Sequence, residues 1–270
     1  MRAMSDVTYQ GITDLMYSAI GLSFNESKKP LVSSRLASRI ERLGLDGFED
    51  YLALISGTQD GGEFQMAVDL LTTNETYFFR EPAHYDLLEK ELTANKPRSL
   101  AVWSAASSFG DEAYSTAMLL SDLAVKGYIG NDWQILGTDI SDRVLRSASE
   151  AIYPVDRLRN VSPQRLKRYC LRGEGEFEGQ AQMQPELRKH VRFGQVNLCE
   201  PVDGLGPFDV IFLRNVLIYF DAKTKQEVVD RVLTQLRPGG LFFIGIAEGR
   251  VPCNTPLQVL APGAFRKVAG

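Results

Sequence analysis

The sequence is poor in the residues that most often carry acid–base and metal chemistry. Its 270 residues include only two histidines, His84 and His190, and three cysteines, Cys170, Cys199 and Cys253. The cysteines are odd in number, widely spaced and never in a CxxC pair. That argues against a disulfide framework and a zinc site, so no metal is expected and a reduced, cytoplasmic setting fits best. No apolar run approaches the roughly 18 residues a bilayer-crossing helix needs, so no direct membrane insertion is expected. The N-terminus lacks an apolar core between a basic start and a small-residue cleavage site, and is not read as a signal peptide. Neither charge dominates: 30 Lys and Arg stand against 34 Asp and Glu, a net charge of -4. Nothing global draws the chain to nucleic acid, and no nucleic-acid partner is expected. The three-glycine G-x-G-x-x-G loop of dinucleotide sites is missing as well. Gly173-x-Gly175 is the near match, and it leads into no helix.

Up to residue 72 the pattern is helical. Leu36, Ile40 and Leu43 fall at i, i+4 and i+7, DGFEDYLALI is a second short amphipathic segment, and GTQDGGE reads as a loop. Residues 1–72 are therefore expected to form a small all-helical domain. Residues 73–270 alternate strands and helices. SLAVW, WQILGTD, FDVIFL and LFFIGIA read as strands; DEAYSTAMLLSDLAV, SDRVLRSASEAI and DAKTKQEVVDRVLTQL read as helices. Asp221 is a candidate cap for the last helix, Val228, Val229, Val232 and Leu236 its buried stripe, and Pro238-Gly239-Gly240 its end. LQVLAPGAFRKV reads as a closing hairpin. Such alternation predicts a Rossmann-like α/β domain whose ligand lies at the carboxyl ends of the strands. The Gly-rich stretch at about 165–194 interrupts it and predicts a small antiparallel β insert.

Those strand ends hold Asp139, Asn197, Leu198, Arg214 and Asn215. An acid ending the second strand suits ribose hydroxyls, although Asp139 could instead cap the next helix, a place Ser141 could fill just as well. In VWSAASSFGDEAYS the first helix opens on Asp111 and Glu112, where a phosphate would be repelled. A ligand with a ribose and positive charge but no phosphate fits better, and S-adenosylmethionine is such a ligand. Glu112 is the first choice to meet its ammonium and Asp111 the second, against the plainer reading that both acids favour the helix dipole.

The motifs N-x-T-x-F-F-R-E and R-N-V-x-I-Y-F-D, with VWSAASSFGDEAYSTAM and GTDISDRVLRSASEAIY, closely resemble the chemotaxis-receptor glutamate methyltransferases, the CheR family, over nearly the whole chain. The resemblance implies a class I methyltransferase domain, S-adenosylmethionine as donor with S-adenosylhomocysteine as product, and methyl esters formed on glutamates of a receptor's cytoplasmic helical bundle for sensory adaptation. It extends the donor site to Asn74, Thr76 and Arg80, and points to Arg80 and Tyr219 as active-site residues. The family often has His-Ser-Glu where this chain has Ile246-Ala247-Glu248. Arg35, Arg39 and Arg42 form a basic helical stripe, read either as a solvated face or as a surface that docks an acidic receptor. The insert is a candidate holder of a receptor's C-terminal tail by strand addition. A monomer is expected. A methyltransferase for base amines is disfavoured because Arg214-Asn215-Val216-Leu217 replaces the Asn/Asp-Pro-Pro-aromatic turn of those enzymes. A non-catalytic adaptor that binds a receptor tail and senses the donor is the alternative from another class.

Overall fold

The computed structural model describes residues 3–57, 61–249 and 252–268. Four helices come first: α1 Asp6–Ile20, α2 Lys29–Leu43, α3 Phe48–Ser56 and α4 Gly61–Leu71. Ser5 caps α1 by accepting from the Thr8 N–H at 3.1 Å, and Gly21 ends it in the left-handed region. Leu36 and Ile40 are buried as their spacing predicts. Leu43, at the helix end, is exposed, and Val32 fills the inner turn instead. The expected GTQDGGE loop is shorter than read, because Gly61, Gly62 and Glu63 already belong to α4. Residues 58–60 of that reading lie outside the described residues.

A linker without regular structure runs to Arg80. Then follow α5 Pro82–Asn95, β1 Ser99–Ala105, α6 Asp111–Val125, β2 Asp132–Asp139, α7 Asp142–Glu150, β3 Ile152–Pro154, α8 Pro163–Tyr169, β4 Cys170–Arg172, β5 Gln180–Met183, α9 Pro185–Arg188, β6 Val191–Gln195, β7 Phe208–Leu213, α10 Ala222–Thr234, β8 Leu236–Ile244, β9 Leu257–Ala261 and β10 Ala264–Lys267. The main sheet has the order β6-β2-β1-β7-β8-β10-β9. Its first five strands are parallel, and β10 and β9 close it as an antiparallel hairpin. This is the Rossmann-like α/β arrangement that the alternation predicts. The order reverses between β1 and β7, so a crevice opens beyond their carboxyl ends. β7 is central and covered on both faces, which is why FDVIFL is an unbroken apolar run.

Two boundaries differ from the sequence reading. Asp221 does cap α10, accepting from Thr224 N–H at 2.8 Å, but the helix stops at Thr234. Leu236 heads β8 instead of ending the helix stripe, and Pro238-Gly239-Gly240 lies inside that strand, where its register with β7 shifts. The insert sheet, in the order β3-β5-β4, is antiparallel as expected, but it recruits Ile152–Pro154 from before the predicted segment. Val191–Gln195, counted with the insert, is the parallel edge strand of the main sheet. An edge strand has one open side and alternating exposure, so it resembles a hairpin strand in sequence.

Candidate active site

The crevice at the switch point is walled by pieces of both domains. Ile20 and Leu22 come from the end of α1, Thr72–Tyr77 and Arg80 from the linker, Ala106–Ser108 from the loop after β1, and Asp139 and Ile140 from the end of β2. Val196–Leu198 follow β6, and Arg214–Val216, Tyr219 and Phe220 follow β7. The helical domain is fastened here by polar contacts. Asn197 Nδ2 donates to the Ala19 carbonyl at 2.7 Å, Ser23 N–H to the Tyr219 carbonyl at 3.0 Å, and Tyr17 Oη to Asp221 at 2.6 Å.

The loop after β1 is sharply turned. Ala106 (φ 58°), Ser108 (φ 51°) and Gly110 (φ 86°) are all left-handed. A Cβ on Gly110 would lie 3.0 Å from both Ala148 and Phe193, so a side chain there would be crowded as well as strained by the backbone conformation. The two non-glycine residues store strain that surrounding bonds must hold. Ser107 N–H donates to the Thr138 carbonyl at 2.7 Å, Ser108 N–H to Asp139 Oδ2 at 2.9 Å, and Ser108 Oγ to the Asn74 carbonyl at 3.0 Å. Asp139 thus does local work: its other oxygen accepts from Ser141 N–H at 3.0 Å, while Ser141 caps α7. The carboxylate also lines the crevice. Burial pushes the Asp139 carboxyl up, against the pull of the Ser141 and Ser108 N–H groups.

On the opposite wall Arg214 is buried between two carboxylates. It donates to Glu81 Oε2 at 3.0 Å and to Glu112 Oε2 at 3.1 Å, and a further N–H bonds the Arg80 carbonyl. Glu112 also accepts from Ser104 Oγ at 2.6 Å. Burial pushes Glu112 up; Glu81, which burial alone would raise, is held below the ordinary range by Arg214 and by bonds from Asn215 and Ile246. Asn215 is left-handed (φ 60°), and Glu248 pins it. Glu248 accepts from the N–H groups of Asn215 (2.9 Å), Gly245 (2.7 Å) and Leu217 (2.8 Å). Arg80 is different. It stands over the Tyr77 ring at 5.7 Å and donates to the Glu75 carbonyl at 3.0 Å, and among the described residues no carboxylate pairs with it. The half-buried Tyr219 hydroxyl reaches the Thr73 carbonyl at 3.5 Å, and burial raises its pKa.

Asn74, Thr76, Arg80, Glu112, Asp139, Asn197, Leu198, Arg214, Asn215 and Tyr219 therefore line one crevice, as the sequence reading groups them. Asp111 does not join them. It is fully buried and held two-point by Arg157 at 2.7 and 2.9 Å, on the side of α6 turned toward the insert. The basic stripe is also largely spoken for. Arg35 bonds the carbonyls of Leu71 and Thr72 and the Thr73 hydroxyl, and Arg39 pairs with the buried Glu63; Arg42 alone of the three is exposed. Glu81 and Glu248 were not singled out for the site from sequence. Glu81 pairs with Arg214 across 133 positions of chain.

The crevice suits a methyl donor. Its lining carboxylates, Glu75, Glu112 and Asp139, outnumber its guanidinium groups, Arg80 and Arg214, by one. S-Adenosylmethionine carries a sulfonium and an ammonium against one carboxylate, so its net charge is opposite. The buried Ser107 hydroxyl, unpartnered and lining the crevice, is a polar group that a ligand would complete.

Comparison with known proteins agrees. A family model described as CheR methyltransferase, SAM binding domain, matches residues 74–260, and one described as CheR methyltransferase, all-alpha domain, matches residues 8–72. The chemotaxis protein methyltransferases of Salmonella typhimurium and Escherichia coli are each 40% identical over 247 residues, 91% of this chain and 85% of theirs. Chemotaxis protein methyltransferase 2 of Pseudomonas aeruginosa is 40% identical over 248 residues, 90% of this chain and 86% of that one.

Proposed function

We propose that this chain, which belongs to the CheR methyltransferase family, methylates glutamate side chains of chemoreceptor cytoplasmic bundles, forming methyl esters. Its class I domain, its S-adenosylmethionine cofactor and its place in chemotaxis follow from the family. The acceptor is the inference, and the contrast between two arginines carries it. Arg214 is saturated by Glu81 and Glu112, whereas Arg80 has no carboxylate partner among the described residues. Arg80 is thus the guanidinium left to grip an incoming carboxylate.

The bound donor supplies an electrophilic methyl on a positively charged sulfur. One acceptor oxygen bonds to that carbon as the carbon–sulfur bond breaks, and the sulfur keeps the electron pair. A glutamate side chain, with an ordinary pKa near ~4.3, is already ionised at neutral pH, so no general base is required. Neither histidine lines the crevice: His84 is buried against the Pro262 carbonyl, and burial holds it toward the neutral form, while His190 is stacked on Trp133. The protein's work is alignment. Glu112 and Asp139 fix the donor's charged and ribose ends, Arg80 orients the acceptor oxygen, and Tyr219 borders the transfer point. Proximity and orientation of this kind supply up to roughly 7–11 kcal/mol. At the insert, β4 is an edge strand, with Leu171 exposed on it and Phe177 exposed in the following turn. We assign this edge to an extended receptor tail bound by strand addition.

The test is steady-state kinetics on a purified receptor cytoplasmic fragment. Arg80→Ala is expected to lower kcat/KM about 100-fold, with the Kd for S-adenosylhomocysteine changed less than about threefold. Tyr219→Phe is expected to retain donor binding and lose part of the rate. Equal losses of donor affinity and rate in Arg80→Ala would assign Arg80 to the donor instead of the acceptor.

A further inference from the structure

Among the described residues, four buried polar side-chain atoms have no hydrogen-bond partner: His84 Nδ1, Tyr85 Oη, Ser107 Oγ and Arg266 Nε. Two of these residues, Tyr85 and Ser107, line the crevice. Ser107 is at its ribose end, since its backbone N–H bonds Thr138, the neighbour of Asp139. Tyr85 belongs to the other end and has no role so far.

Tyr85 sits on the first turns of α5, five residues after Arg80. Its ring is wedged edge-on against Phe79 at 5.2 Å and stacked on Phe212 at 6.1 Å, and the Arg214 guanidinium lies 5.7 Å from its centroid. Packing therefore fixes where the hydroxyl points. Arg214 and Glu112 are the charged groups that act on it. Burial pushes the phenol well up, so it stays protonated and is a hydrogen-bond donor at neutral pH. A buried hydroxyl left unbonded destabilises a fold, and phenylalanine would fill the same space without that penalty. The Ser115 hydroxyl and the Arg214 guanidinium lie near enough to act on the Tyr85 hydroxyl, but neither makes a well-formed hydrogen bond with it, so its proton is left for an arriving acceptor.

We propose that Tyr85 is a donor-contact residue whose hydroxyl bonds the amino-acid end of S-adenosylmethionine, donating to its carboxylate beside Glu112 and Arg214. The proposal extends the donor site described above by one residue and rests on that donor being the ligand. It separates two quantities that a packing role would move together. Removing the hydroxyl relieves an unsatisfied group in the free protein and deletes a bond in the complex.

The test is Tyr85→Phe in the full chain, with calorimetric Kd values for S-adenosylhomocysteine and for 5′-methylthioadenosine, which lacks the amino-acid end, and the Tm of the ligand-free protein. The expected result is a five- to tenfold weaker Kd for S-adenosylhomocysteine, methylthioadenosine binding within twofold of wild type, and a ligand-free Tm unchanged or raised. Equal losses for both ligands, an unchanged Kd for S-adenosylhomocysteine, or a clearly lower Tm would each overturn the proposal. If wild type binds S-adenosylhomocysteine and the variant matches it, the inference fails while methyl transfer stands. If wild type binds neither ligand, the donor reading falls with it.

Discussion

Arg80 and Arg214 show how one residue type meets two different surroundings in one crevice. Arg214 is buried, and its donors are spent on Glu81, Glu112 and the Arg80 carbonyl, so it builds the wall. Arg80 also lines the crevice, and among the described residues no carboxylate pairs with it. Both were legible as site residues, because each belongs to a motif at a strand end or domain joint. Their division of labour was not, since it depends on Glu81 meeting Arg214 across the sequence. Asp111 shows the converse. Next to Glu112 it looks equivalent, but adjacent helical residues point about 100° apart, and Asp111 faces Arg157. Glu248 was hidden for a third reason: its partners are backbone N–H groups, which leave no trace in side-chain identity. Glu248→Ala leaves the amides of Asn215, Gly245 and Leu217 without their acceptor. Each such loss costs about 1–3 kcal/mol. Urea unfolding is expected to show a stability lower by about 3 kcal/mol, with weaker S-adenosylhomocysteine binding because Asn215 and Val216 line the crevice.

Helices were the easiest elements to read. The expected α6 and the real one share both ends, Asp111 and Val125, because a small-residue loop precedes it and the apolar period is unbroken. Strand membership was harder, as Val191–Gln195 shows: alternation announces a strand but not its sheet. The stripe on α2 illustrates the limit of charge patterns. Arg39 is 23% exposed, and its partner Glu63 only 5%; Glu63 also accepts from Tyr51 Oη at 2.9 Å. The Arg39 hydrogen bonds hold the Glu63 carboxyl below its ordinary value of 4.5, despite burial, with help from Tyr51. A depressed carboxylate stabilises the fold above its unfolded pKa and loses that contribution as pH falls through the folded one. Arg39→Ala strands a buried carboxylate and is expected to cost about 3 kcal/mol at pH 7, the low end for a broken buried pair. The deficit relative to wild type should shrink as pH falls below about 4.5. Arg42→Ala should leave stability within about 0.5 kcal/mol. A pH-independent deficit in chemical denaturation of Arg39→Ala would contradict the pairing.

At the scale of the molecule, the helical domain and the linker complete the crevice that the sheet begins. Ile20 and Leu22 close one side of it, and the strained loop after β1 is braced by Asn74 from the linker. Strand–helix alternation made the parallel sheet and its ligand edge legible, because connection rules leave few topologies. The docking of the first domain was not legible, since Asn197 bonds a backbone carbonyl of α1 and no side-chain pattern announces it. The central claim is that this crevice delivers a methyl group to a carboxylate held by Arg80. The most direct measurement incubates the full chain with a receptor cytoplasmic fragment and methyl-labelled S-adenosylmethionine, then locates the label by mass spectrometry. The account predicts base-labile methyl esters on glutamate side chains, formed by wild type and nearly lost in Arg80→Ala. Base-stable label, label on another residue type, or donor binding with no transfer to receptor would contradict it.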